Sequence, residues 1–160
     1  MLSRIPGRAV IAGIAGTAAY TVASSQLKRR GIGGGITTQP GEVATALTGQ
    51  RDPAGTSGPV HPSAELVNAL LHWGYGALGG LSRAALVRRG VSGWQLEAAH
   101  LGAVWLPWLT LLALSGKGQR VSGRVLLVDG GKHLVYVLVV GRTFHLLSLS
   151  TATEDAAVAD

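Results

Sequence analysis

HLGAVWLPWLTLLAL, residues 100–114, contains no Asp, Glu, Lys or Arg. With its flanks it extends over about 94–115, close to the roughly 20 residues that an α-helix needs to cross about 30 Å of hydrocarbon at 1.5 Å per residue. Three more stretches of that length stand around it. AVIAGIAGTAAYTVASSQL lies within 8–27, LVNALLHWGYGALGGLSRAALV within 63–87 and HLVYVLVVGRTFHLL within 125–149. Three of the four are interrupted: Arg83 falls in the second, Glu97 in the third, and Asp129, Lys132 and Arg142 in the fourth. Taken together, four such stretches in 160 residues predict an all-α, integral membrane four-helix bundle with antiparallel neighbours.

Composition agrees. Charged residues are 14% of the chain, against about 25% in soluble domains. Gly accounts for 24 positions, which dilutes the mean hydropathy to +0.33. A soluble Ala-rich bundle would need a charged face with Glu and Lys at i,i+4, and no stretch has one. The net charge of +6 is scattered between apolar runs and matches no nucleic-acid-binding motif, so anionic lipid is the partner expected for it. With no Cys in the chain, disulfides, thiolate metal sites and a Cys nucleophile are excluded. Arg outnumbers Lys 11 to 3, a usage expected of a GC-rich bacterial genome.

The connections are short except the first. Residues 28–61 hold GIGGGITTQPG and RDPAGTSGPVHP, both flexible, around a short apolar piece at 42–47 that suits a surface helix. The tail TATEDAAVAD, 151–160, is acidic and expected to be disordered. Arg4 and Arg8 ahead of the first apolar run outline a signal peptide, but the run is Gly-rich and weakly apolar, and a retained first span fits better. Loops one and three carry seven basic residues and the opposite side four, which favours those two loops in the cytoplasm.

Small residues mark expected helix contacts: Ala9, Gly13 and Thr17 in the first span, and Gly76 and Gly80 at GxxxG spacing in the second. Pro107 breaks one backbone bond of the third span. Ionisable side chains at membrane depth should face the interior and have partners. With alternate spans running in opposite directions, helix rise groups them at two depths. His72, Asp129, Lys132, His133 and Tyr136 form one expected cluster on the side of loop one. Arg83, Glu97, His100 and Arg142, with His145 nearby, form the second towards loop two, where Glu97 should pair with an arginine.

Such clusters either tie helices together or pass protons. His72 and His133, at one depth on parallel helices, would hold a haem between them only if their rings face each other. Glu97 and His100 form a single Glu-x-x-His, whereas a di-iron bundle uses two plus two further Glu. No Walker loop, nucleophile elbow, HExxH or dinucleotide fingerprint is present.

GRAVIAGIAGTAAYTV, LLHWGYGALGGLSRAAL and HLVYVLVVGRTFHLL together resemble the YagU-like family of small bacterial inner-membrane proteins. The resemblance rests on a His-aromatic-Gly-Tyr-Gly element, here His72, Trp73, Gly74, Tyr75 and Gly76, and on a His-Leu-Val-Tyr element, here His133 to Tyr136. It implies a four-helix inner-membrane fold and no activity. Asp129, Lys132 and Arg142 depart from its pattern. The sequence therefore predicts a non-enzymatic, cofactor-free membrane protein that acts through helix packing, alone, as a homo-oligomer or beside a membrane partner. Proton or ion permeation through the His72/His133 cluster is the alternative.

Overall fold

The computed structural model describes residues 5–32, 62–114 and 121–157. They form four helices: α1 (Ile5–Arg29), α2 (Pro62–Arg88), α3 (Gly93–Leu114) and α4 (Gly123–Ala157). Successive helices pack as neighbours in a ring. α1 lies tightly against both α2 and α4, and α3 closes the ring more loosely against the same two. The 42–47 segment lies outside the described residues.

The helix ends follow local chemistry. α1 ends at Gly31, whose φ of +69° takes the left-handed region. There Ile32 N–H bonds Leu27 O at 3.0 Å and Gly31 N–H bonds Lys28 O at 3.1 Å. α2 ends in the same way at Gly90, with Val91 N–H on Leu86 O at 3.1 Å. Both are Schellman caps, with the apolar pairs Leu27/Ile32 and Leu86/Val91 that accompany the motif. LKRRGI and LVRRGV are thus one stop signal used twice. α4 starts where the Ser122 side chain caps Val125 N–H at 3.4 Å.

Three helices are long and apolar enough to cross a membrane: α1 over Pro6–Arg29, α3 over Gly93–Leu114 and α4 over Gly123–Ser150. α2 has the length, at 27 residues, but is less apolar and is absent from that set. The reason is its cargo of Asn68, His72, several glycines, Ser82 and Arg83, all of which lower its apolarity. A correction concerns the tail. α4 runs 35 residues, to Ala157, so 151–157 is helical rather than disordered. No Gly or Pro follows Gly141, and TATEDAA contains three alanines, so nothing local stops the helix.

Exposure is inverted relative to a soluble bundle. Leu127, Leu114, Leu70 and Leu78 point outward at 79%, 70%, 64% and 63% exposure, whereas His100, Asp129, Thr17 and Arg83 are buried. Large apolar groups outside and ionisable groups inside are what hydrocarbon, not water, selects. This is a membrane protein with transmembrane helices. Its apolar core is correspondingly small: Ala12, Val104, Tyr136, Val137 and Val140, joined by Tyr20, Leu101 and Phe144.

Close approach of α1 and α2 comes from missing side chains. A Cβ on Gly80 would collide with Ala9 O, one on Gly13 with Gly76 O, and one on Gly76 with Thr17 Oγ1. The row Ala9, Gly13, Thr17 therefore meshes with Gly76 and Gly80. Gly16 does the same for α4, since a Cβ there would meet Val140 and Tyr136.

Candidate functional site

Two polar tiers lie inside the bundle. The tier towards the C-terminus of α1 is built on Asp129, which is 1% exposed. Its carboxylate faces donors only. Lys132 Nζ is at 3.0 Å, Trp105 Nε1–H at 3.1 Å, Tyr20 O–H at 3.4 Å and His133 Nδ1 at 3.5 Å. Spacing on α4 explains part of this: 129, 132 and 133 share a face at i,i+3,i+4. Lys132 is the counter-ion and also lies 5.2 Å from the Tyr20 ring centroid. His133 Nδ1 lies 2.9 Å from Asp129 O. A carbonyl only accepts, so Nδ1 carries the proton and donates.

His72 joins this tier indirectly. Its Nε2 is 3.1 Å from Thr21 Oγ1, whose own proton goes to Thr17 O at 2.8 Å. Nε2–H therefore donates to Thr21. The Tyr20 ring packs against both imidazoles, 5.9 Å from His72 and 5.1 Å from His133 between centroids. An aromatic side chain thus fills space that a macrocycle held by the two histidines would need, and the bis-histidine haem expectation does not fit.

Tyr136 is the first departure from the expected membership. It lies one turn deeper, and its hydroxyl donates to Gly76 O at 2.5 Å instead of meeting Asp129. The cause is Gly79 and Gly16: a Cβ on either would run into the Tyr136 side chain, so the ring settles in the gap they leave. Nearby, Tyr75 O–H donates to Val104 O at 2.5 Å, one residue past the carbonyl of Ala103, which loses its partner to Pro107.

The second tier holds the Arg83–Glu97 pair as a two-pronged fork, Nη1–Oε2 at 2.8 Å and Nη2–Oε1 at 2.6 Å. His100 is fully buried. Its Nε2–H donates to Gly79 O at 2.9 Å, leaving Nδ1 to face Arg83 Nη1 at 3.5 Å. Arg83 Nε is buried without a hydrogen-bond partner among the described residues. Arg142 is not in this tier, and neither is His145: both are exposed. The inward positions of α4 include 133, 136, 137, 140 and 141, so 142 turns outward. α4 contributes Gly141 instead, where a Cβ would come within 2.8 Å of the Arg83 guanidinium.

Tyr20, Thr21, Trp105, Gly79 and Gly141 are the residues that sequence reading left out. Tyr20 had a signal, because it extends the Ala9, Gly13, Thr17 row by i+3. The indole of Trp105 had a weaker one: an N–H at membrane depth needs an acceptor. Among the described residues no group of three or more His, Asp or Glu side chains is placed to hold a metal ion. No family model, curated protein or solved structure matches the chain.

Proposed function

We propose that the chain is a non-enzymatic, multi-pass protein of a bacterial plasma membrane that works as a rigid helical scaffold or accessory subunit. One observation carries this reading: polar groups of both tiers tie every pair of neighbouring helices together. Thr21–His72 joins α1 to α2, Tyr20–Asp129 joins α1 to α4, Trp105–Asp129 joins α3 to α4, and Arg83–Glu97 joins α2 to α3. Polar groups bound in this way fix helix positions in lipid. The YagU-like resemblance and the arginine-rich usage support the bacterial inner membrane.

A second reading is proton permeation. It is favoured by titratable groups at both depths with the Tyr136 hydroxyl between them, its ring 6.0 Å from His100. Liposomes containing the purified protein and an internal pH dye separate the two. On the scaffold reading an external acid pulse enters no faster than in empty liposomes, with and without His72→Ala. A flux that His72→Ala abolishes while insertion persists refutes the scaffold and makes the His72 tier a conduit.

A further inference from the structure

A shallow groove lies on the outer surface of the described helices. It runs between the last turns of α1 and the first turns of α4, walled by Ala23 and Leu27 on one side and Val128 and Val135 on the other. Gly131 forms part of its floor, and a Cβ there would meet no neighbouring heavy atom within 4 Å. Arg30 and Lys132 line it as well. Lys28, Arg29 and Arg124 are exposed at the same end of the bundle. The carboxylate there, Asp129, is buried and already matched by Lys132. Among the described side chains the unmatched charge around the groove is therefore positive, and its walls are apolar.

We propose that this groove binds one anionic phospholipid. The phosphodiester sits against Arg30 and the first turn of α4, with Arg124 beside it, and an acyl chain lies over Gly131 between Leu27 and Val135. Charge complementarity selects this occupant. An anionic headgroup meets guanidinium groups that have no carboxylate partner among the described residues, whereas a phosphocholine brings its own cation to them. Lys132 is neutralised by Asp129 and adds no net charge, but an ammonium has three donors and only one is taken by Asp129, so it can still donate to a phosphate oxygen. The glycine supplies the shape, because any larger residue at 131 would stand where the chain lies. This site does not depend on whether the bundle acts as a scaffold or a conduit.

The test is native mass spectrometry of the full chain in detergent micelles, given equal amounts of dioleoylphosphatidylglycerol and dioleoylphosphatidylcholine. Phosphatidylglycerol adducts should dominate by a factor on the order of tenfold, given two or three basic groups at the headgroup. Arg30→Gln should cut the preference several-fold. Gly131→Trp should remove the adduct while the far-ultraviolet circular dichroism stays unchanged, and Gly131→Leu should do so in part. Arg88→Gln with Arg89→Gln, at the other end of the bundle, should leave the preference intact. Equal adducts of both lipids, an adduct undiminished by Gly131→Trp, or a loss as large in the Arg88/Arg89 variant each overturn the proposal. So does displacement by soluble glycerol phosphate, which would locate binding in surface charge alone. Wild-type protein that takes up no lipid at all would mean that the groove is covered by other parts of the chain, and overturns it equally.

Discussion

Asp129 is a carboxylate at membrane depth with donors on every side, and its worth depends on Lys132. An ionised group in low dielectric is tolerable when paired and very unfavourable when alone. Asp129→Asn should therefore destabilise the bundle by about 3–5 kcal/mol, mostly because Lys132 is left buried and unmatched. Lys132→Met should be similarly harmful for the opposite reason. The double substitution should recover most of the loss, since an amide oxygen at 129 still accepts from the Trp105 indole and the amide N–H can donate to the Tyr20 hydroxyl. Unfolding in mixed micelles by added dodecyl sulfate, followed by helicity, gives the three values. Additive losses in the double variant would show that the pair is not what holds the tier. At this scale the sequence was informative about depth and silent about direction. Helix rise brought Asp129, Lys132 and His133 together correctly and predicted an arginine partner for Glu97. It misplaced Arg142 because depth alone was used, and the 100° between 141 and 142 decides which of them faces inward.

At the scale of elements, the seam between α1 and α2 is governed by space. Gly76 and Gly80 lack side chains where Thr17 and the Ala9 carbonyl need the room, whereas Gly74, two residues away on α2, has open space around its Cβ direction. A helical glycine in open space gains from replacement by Ala, by roughly 0.5–1 kcal/mol of propensity. Gly74→Ala should therefore be neutral or slightly stabilising. Gly80→Ala places a methyl group on backbone that cannot rotate away, and α1 must shift to accommodate it. Paired cysteines introduced at Ala12 and Ala77, in a chain that has no others, report the approach through their rate of disulfide formation. That rate should fall severalfold with Gly80→Ala and stay unchanged with Gly74→Ala; equal rates in both would mean the seam is not close-packed. This contact was readable in the sequence as a small-residue row opposite GxxxG. Its partner seam was not, since Gly16, Gly79, Gly130 and Gly141 belong to no short motif and their use depends on where Tyr136, Trp105 and Arg83 come to rest. The far end of α4 departs from the expected disorder because acidic residues do not themselves break a helix, and 151–157 contain neither Gly nor Pro.

For the whole molecule the open question at this scale is orientation, and the helix stops bear on it. LKRRGI closes α1 at one face of the bundle and LVRRGV closes α2 at the other. Each cap thus brings a pair of arginines to its own side, close to helix carbonyls whose partial negative charge they offset. Residues recruited for capping are equal in number on both faces and cancel in any count of inward positive charge. The remaining bias comes from Lys28, Arg51 and the cluster Lys117, Arg120 and Arg124 in loops one and three, against Arg4 and Arg8 on the opposite side. With the paired arginines set aside the ratio sharpens from seven against four to five against two, and it favours the same side. A cysteine-free chain allows this to be measured directly. Lys28→Cys should resist a membrane-impermeant maleimide in intact cells and react after permeabilisation, and Arg88→Cys should react in both. Reversal of the two patterns would invert the topology and turn the proposed lipid groove towards the outer leaflet. Reaction of both in intact cells would contradict the crossing of the membrane by α2, the helix whose composition alone does not require it.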